Sequence, residues 1–104
     1  MKSEHYKIIS EQLNLTVKQV ENTIVLLSEG ATIPFISRYR KEMTGSLDEI
    51  NISEIKSMSD KLQELEKRRE SILAAIEKQG KLTDELKSKI KSTYDLNELE
   101  DLYL

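Results

Sequence analysis

Few side chains in this sequence could do covalent, acid–base or metal chemistry. His5 is the single histidine, cysteine is absent, and neither Gly-rich phosphate-binding spacing occurs. Metal binding needs several converging ligands and a nucleophile needs an adjacent base, so no metal, cofactor or covalent intermediate is expected. His5, close to the N-terminus, is read as a surface residue. Carboxylate pairs exist, Glu98 with Asp101 and Glu64 with Glu66, but they fall on helix faces expected to be solvated. Nothing there would move a pKa toward general acid or base work. The chain is not expected to be an enzyme.

Two basic groups remain. Arg38 and Lys41 form an i,i+3 pair on one helix face, with Arg40 at the edge of the opposite, apolar arc. From the second helix of a helix-turn-helix, such residues can reach nucleic-acid phosphates. Alternatively, Arg40 and Lys41 complement the negative end of their helix, and Arg38 is solvated or pairs with Glu42. Lys67 and Arg68, followed by Arg69, are the other candidates for phosphate contact. The formal net charge of −3, with Glu21, Glu29, Asp48 and Glu49 near the first cluster, confines any such contact to a small patch. Binding of RNA or DNA by this chain alone is expected to be weak.

The elements that carry these residues read as helices. Charged residues make up 34%, Gly and Pro are scarce, and no apolar run approaches the ~18 residues of a membrane span. A first helix is expected over residues 3–13, ending at Asn14. Thr16 and Gln19 form a T-x-x-Q capping box with Leu15 and Val20 as its staple, and Val17, Val20, Ile24 and Leu27 repeat at helical spacing. A Gly-containing turn leads to a helix capped by Thr32, with Pro34 in its first turn and Gly45 after its end. On a wheel of about 100° per residue, Phe35, Ile36, Tyr39 and Met43 share one arc, which predicts burial of all four.

A long helix is expected over residues 53–79, capped by Asn51 with Glu54 and stapled by Ile50 with Ile55. Ile55, Met58, Leu62, Leu65, Ile72 and Ile76 form a heptad seam, interrupted where Arg69 stands. At ~1.5 Å per residue this helix is about 40 Å long, so part of the stripe is expected to need another partner, and a homodimer through it is one candidate. Either the run Lys67, Arg68, Arg69 is a surface charge cluster that crosses one seam position, or the stem of Arg69 packs while its head meets a carboxylate of a partner helix. Leucine at that position should complete the seam. Gly80 closes the helix, Thr83 caps the next with Leu82, Leu86, Ile90 and Tyr94 in register, and Asp95 with Glu98 starts a last one carrying Leu96, Leu99, Leu102 and Tyr103. The uncovered end Leu102, Tyr103, Leu104 predicts that the natural chain continues.

The run T-I-P-F-I-S-R-Y-R-K-E-M-T-G-S-L-D-E resembles the signature of the Tex family of bacterial transcription accessory proteins. The likeness extends upstream through L-N-L-T-V-K-Q-V-E-N-T-I-V-L-L-S-E-G and downstream to L-N-E-L-E-D-L-Y-L, so it covers nearly the whole chain, with mild departures at Ser37 and Met43. The resemblance implies a cytoplasmic protein that acts in transcription and binds nucleic acid. It also implies further domains along a longer chain, among them an RNase H-like domain, a helix-hairpin-helix and an RNA-binding OB domain. These remaining domains and the transcription machinery are then the expected partners.

The expected fold is therefore all-α. A helix-turn-helix lobe over residues 1–45 joins a long helix and C-terminal helical hairpin over 46–104, as two lobes of one unit. The expected role is that of an interaction scaffold; the alternative is a helix-turn-helix module that itself contacts phosphates through Arg38, Arg40 and Lys41.

Overall fold

Five helix starts in this chain are closed by side-chain caps in the computed structural model, which describes residues 3–103. Among these residues there are seven helices and no strand: α1 (Ser3–Leu13), α2 (Val17–Ser28), α3 (Ile33–Tyr39), α4 (Lys41–Thr44), α5 (Glu49–Lys78), α6 (Asp84–Ser92) and α7 (Leu96–Tyr103). The fold is all-α. Ahead of α2 the capping box is complete: Thr16 Oγ1 accepts the Gln19 N–H at 3.1 Å, and Gln19 Oε1 accepts the Thr16 N–H at 3.0 Å. Thr32 and Thr83 cap α3 and α6 in the same way, each accepting the N–H three residues on. Asp95 caps α7 by accepting the Asn97 N–H at 2.9 Å.

The start of α5 differs from expectation. Asp48, not Asn51, is its cap: Asp48 Oδ1 accepts the Asn51 N–H at 2.8 Å, and the helix begins four residues earlier than residue 53. Ile50 thereby falls in the first turn and is 69% exposed instead of being stapled to Ile55, while Ile52 and Ile55 are fully buried.

The chain divides into two compact units, Met1–Lys61 and Leu62–Leu104, and the division falls within α5. In the first unit α1 packs on α2, and α2 packs on both α3 and α4. The buried residues of α1 are His5, Ile9 and Ser10. His5 is thus not a surface residue: one turn before Ile9, it shares the inward face of α1. Along α2 the buried set is Val20, Thr23, Ile24 and Leu26, rotated from the expected one, with Val17 exposed and Leu27 only half-buried. Thr23 can join this face because its hydroxyl donates to the Gln19 carbonyl at 2.7 Å, so that hydroxyl is not buried without a partner.

The second unit holds the rest of α5 with α6 and α7. Leu65, Ile72, Ile76, Ile90 and Leu99 form its core, and Leu73, Leu82, Leu86 and Leu102 pack against it. Of the expected seam, Ile55, Leu62, Leu65, Arg69, Ile72 and Ile76 are buried and Met58 is half-buried. From Leu65 to Ile76 the stripe packs with Ile90 of α6 and Leu99 of α7. Leu102 is half-buried, and Leu104 lies outside the described residues. Among the described residues, no helix is long and apolar enough to cross a membrane.

Candidate interaction site

The segment between α2 and α5 carries Phe35, Tyr39, Arg38, Arg40 and Lys41 within seven residues. Its local geometry begins with Thr32, which fixes the first turn, and Pro34, whose missing N–H costs nothing there. The helix then breaks at Arg40. With φ −129° and ψ 31°, Arg40 ends α3, its N–H reaching the Ile36 carbonyl at 3.0 Å, and begins α4, whose Thr44 N–H returns to the Arg40 carbonyl at 3.2 Å. Gly45, at φ +69°, closes α4 in the left-handed region.

The break resets which side chains of α4 face inward. The expected arc of Phe35, Ile36, Tyr39 and Met43 is not buried together: only Ile36 is buried, and Phe35, Tyr39 and Met43 are 39%, 57% and 39% exposed. For Met43 the wheel loses its register at Arg40, because one non-helical residue rotates everything after it; Phe35 and Tyr39 precede the break and flank Ile36 on α3. Thr44 and Leu47 take the inward positions, with the Thr44 hydroxyl accepting the Leu47 N–H at 3.3 Å. Two amides of α2 hold α4 in that orientation. Gln19 Nε2 donates to the Thr44 carbonyl at 3.0 Å and Asn22 Nδ2 to the Met43 carbonyl at 2.8 Å, so carbonyls at the end of α4 are satisfied from another helix. Gln19 and Asn22 read in the sequence as ordinary polar positions; only the capping role of Gln19 left a signal there.

What the arrangement presents outward is an aromatic and cationic face. The Phe35 and Tyr39 rings lie 5.3 Å apart at 50°, and the Arg40 guanidinium sits 4.9 Å from the Phe35 centroid while Nη1 donates to the Tyr39 carbonyl at 2.9 Å. Arg40 is thereby half-buried and occupied. Arg38 and Lys41 are exposed, and among the described residues neither makes an ion pair. A shallow groove of ≈ 430 Å³ runs beside this face, lined by Leu26, Glu29, Gly30, Ala31, Thr32, Phe35 and Arg40.

Lys67 and Arg68 belong to the second unit. Lys67 is exposed. Arg68 is engaged: it grips Glu100 through Nε–Oε1 at 2.5 Å and Nη2–Oε2 at 3.0 Å, with its guanidinium 5.3 Å from the Tyr103 ring centre. This bidentate hydrogen bonding holds the Glu100 carboxyl below the ordinary carboxylate range and raises Arg68 further. Arg69 is 4% exposed. Its Nη1 donates to Glu66 Oε1 at 2.5 Å, its Nη2 donates to the Thr93 carbonyl, and the guanidinium lies 5.0 Å from the Tyr94 ring centre. The carboxylate expected from a partner helix is supplied by Arg69's own helix. No group of three or more His, Cys, Asp or Glu converges among the described residues in a way that could hold a metal ion.

Comparison with known proteins bears on these features. The pattern of the Tex-like protein N-terminal domain matches residues 3–77. Protein YhgF of Escherichia coli is 45% identical over 104 residues, covering all of this chain, and the transcriptional accessory protein Tex of Neisseria gonorrhoeae is 45% identical over 98 residues, covering 94%. The S1 RNA-binding domain-containing protein 1 of Homo sapiens is 32% identical over 94 residues. The chain spans only 14%, 13% and 9% of the lengths of these three relatives.

Proposed function

The chain belongs to the Tex-like family through that family's N-terminal domain, and on this premise we propose that it is a non-catalytic docking module of a longer, cytoplasmic transcription accessory protein. It holds other segments of that protein, or another component of the transcription machinery, against its α3–α4 face. The observation that carries this reading is the exposure of Phe35, Tyr39 and Met43 together, with Arg40 stacked on Phe35. Aromatic side chains, Met and Arg are the types enriched at the centres of protein interfaces, and contiguous exposed apolar groups are costly without such a use. The small share of its relatives' length that the chain represents supports a module that works attached to something larger. Hydroxyl-radical footprinting of the isolated chain and of the full-length protein carrying it tests this directly. Phe35, Tyr39 and Met43 should be oxidised in the first and protected in the second; equal oxidation in both refutes the proposal.

A second reading rests on the exposed, unpaired cations Arg38 and Lys41. They allow weak phosphate contact, with Arg40 and Arg68 less available because their guanidiniums are already engaged. The first turn of α3 offers Ile33, Pro34 and Phe35, none of which can hydrogen-bond to a base edge. Titration with DNA and RNA at two salt concentrations should give a Kd of roughly 10⁻⁴ to 10⁻⁶ M with a shallow salt slope. Tight, sequence-selective binding abolished by Arg38→Glu with Lys41→Glu would instead make this a nucleic-acid-binding module.

A further inference from the structure

A second surface of the first unit has different chemistry from the α3–α4 face. Where α3 begins and α5 begins, Ile33, Pro34, Glu49, Ile50, Ser53 and Glu54 line an open groove of ≈ 510 Å³. Ile50, at 69%, is the most exposed of the large apolar side chains among the described residues, although Ile52 and Ile55 beside it are fully buried. Its exposure follows from the Asp48 cap, which places it in the first turn with its side chain directed away from the core. It therefore contributes little burial to the fold.

The rim of the groove is acidic. Glu49 and Glu54 are both exposed, and among the described residues neither makes an ion pair; the next cation on α5, Lys56, is taken by Asp60 at 2.9 Å. The helix dipole accounts for a carboxylate at Glu49 in the first turn of α5, but it fades within that turn and does not account for Glu54. Apolar floor and uncompensated carboxylates together select the occupant. A nucleic acid is repelled, and a volume of ≈ 510 Å³, about that of a small-ligand site, takes a few side chains and not the length of a helix.

We propose that the groove formed by Ile33, Pro34 and Ile50 between Glu49 and Glu54 binds an extended, basic protein segment, in which one apolar side chain flanked by Lys or Arg covers Ile50. The apolar side chain supplies the burial and the flanking cations supply orientation and encounter rate. This surface is separate from the α3–α4 face and does not depend on what covers that face.

The test titrates a short synthetic peptide, one leucine flanked by lysines, into the ¹⁵N-labelled 104-residue chain. Amide shifts should move at Ile33, Ile50, Ser53 and Glu54, and binding should weaken as added salt cuts the Debye length from about 30 Å to about 8 Å. Glu49→Gln with Glu54→Gln, and separately Ile50→Ser, should each weaken binding about tenfold. All three positions are exposed, so the variants should melt like the parent, which separates lost binding from lost folding. Equal binding of a peptide with serine in place of leucine, or of one with glutamate in place of lysine, overturns the proposal, as do shifts confined to residues outside the groove. Shifts at Ile33 and Ile50 that depend on protein concentration without peptide overturn it too, since the occupant would be a second copy. None of these failures bears on the footprint expected at Phe35 and Tyr39, so the two readings fail separately.

Discussion

Arg69→Leu should destabilise the chain, although the heptad spacing alone argues for the opposite. Leucine would complete the apolar seam, and a newly buried leucine is worth up to about 1.5–3 kcal/mol. The structure sets larger costs against this. Arg69 is buried and ion-paired with Glu66, whose side chain is only 15% exposed, and removing one partner of a buried pair typically costs about 3–5 kcal/mol. The Thr93 carbonyl loses the Nη2 donor as well, which adds about 1–3 kcal/mol where no water replaces it. Part of the leucine gain is already present, because the stem of Arg69 lies in the seam. Costs of about 4–8 kcal/mol against a gain of at most about 1.5–3 leave a net loss of about 1–6 kcal/mol, and at about 4–8 °C per kcal/mol for a chain near this size Tm falls by at least about 4 °C. Thermal melts followed by circular dichroism measure the loss, and sedimentation equilibrium measures association. An unchanged or raised Tm, or a new dimer, would show that the Arg69 contacts do not hold the second unit together and that the seam argument wins.

Three further outcomes follow from the same geometry. Ile36→Ala should cost about 2–5 kcal/mol in urea unfolding, whereas Phe35→Ala, at 39% exposure, should cost about 1–2 kcal/mol; equal losses would mean that the two side chains share one buried arc after all. Gly45→Ala should cost more than the 1–2 kcal/mol or so of a left-handed alanine, because its Cβ would lie 2.6 Å from Gln19 Nε2, and the loss of the Gln19 bond to Thr44 should appear as faster amide exchange in α4. The Glu100 carboxyl has a folded pKa below its unfolded one, so its contribution to stability is complete above the ordinary carboxylate range and is lost as pH falls through the depressed folded value. Carboxyl NMR titration should show the Glu100 pKa rising toward the ordinary value in Arg68→Gln, and no change would exclude the ion pair as its cause.

Local chemistry made much of this protein legible in its sequence. Thr16 with Gln19, Thr32, Thr83 and Asp95 start helices because a cap is satisfied within three residues, whatever the rest of the chain does. The all-α fold and the apolar seam from Ile55 to Ile76 follow from the same short-range rules, and the run through the α3–α4 segment carried the family. Tertiary structure decided what those rules leave open. Asp48 and Asn51 were both adequate caps for α5, and the choice of Asp48 exposed Ile50. Arg40 interrupted a helix with no Gly or Pro to mark the place, which took Met43 out of register with α3, and within α3 only Ile36 of the expected arc is buried. His5 and Arg69 look solvated by residue type alone, yet both are buried, Arg69 because Glu66 and the Thr93 carbonyl converge on its guanidinium. A helical wheel gives the direction of a side chain about its own axis; whether that direction leads to solvent or to the core depends on elements distant in sequence, and those only the folded chain brings into place.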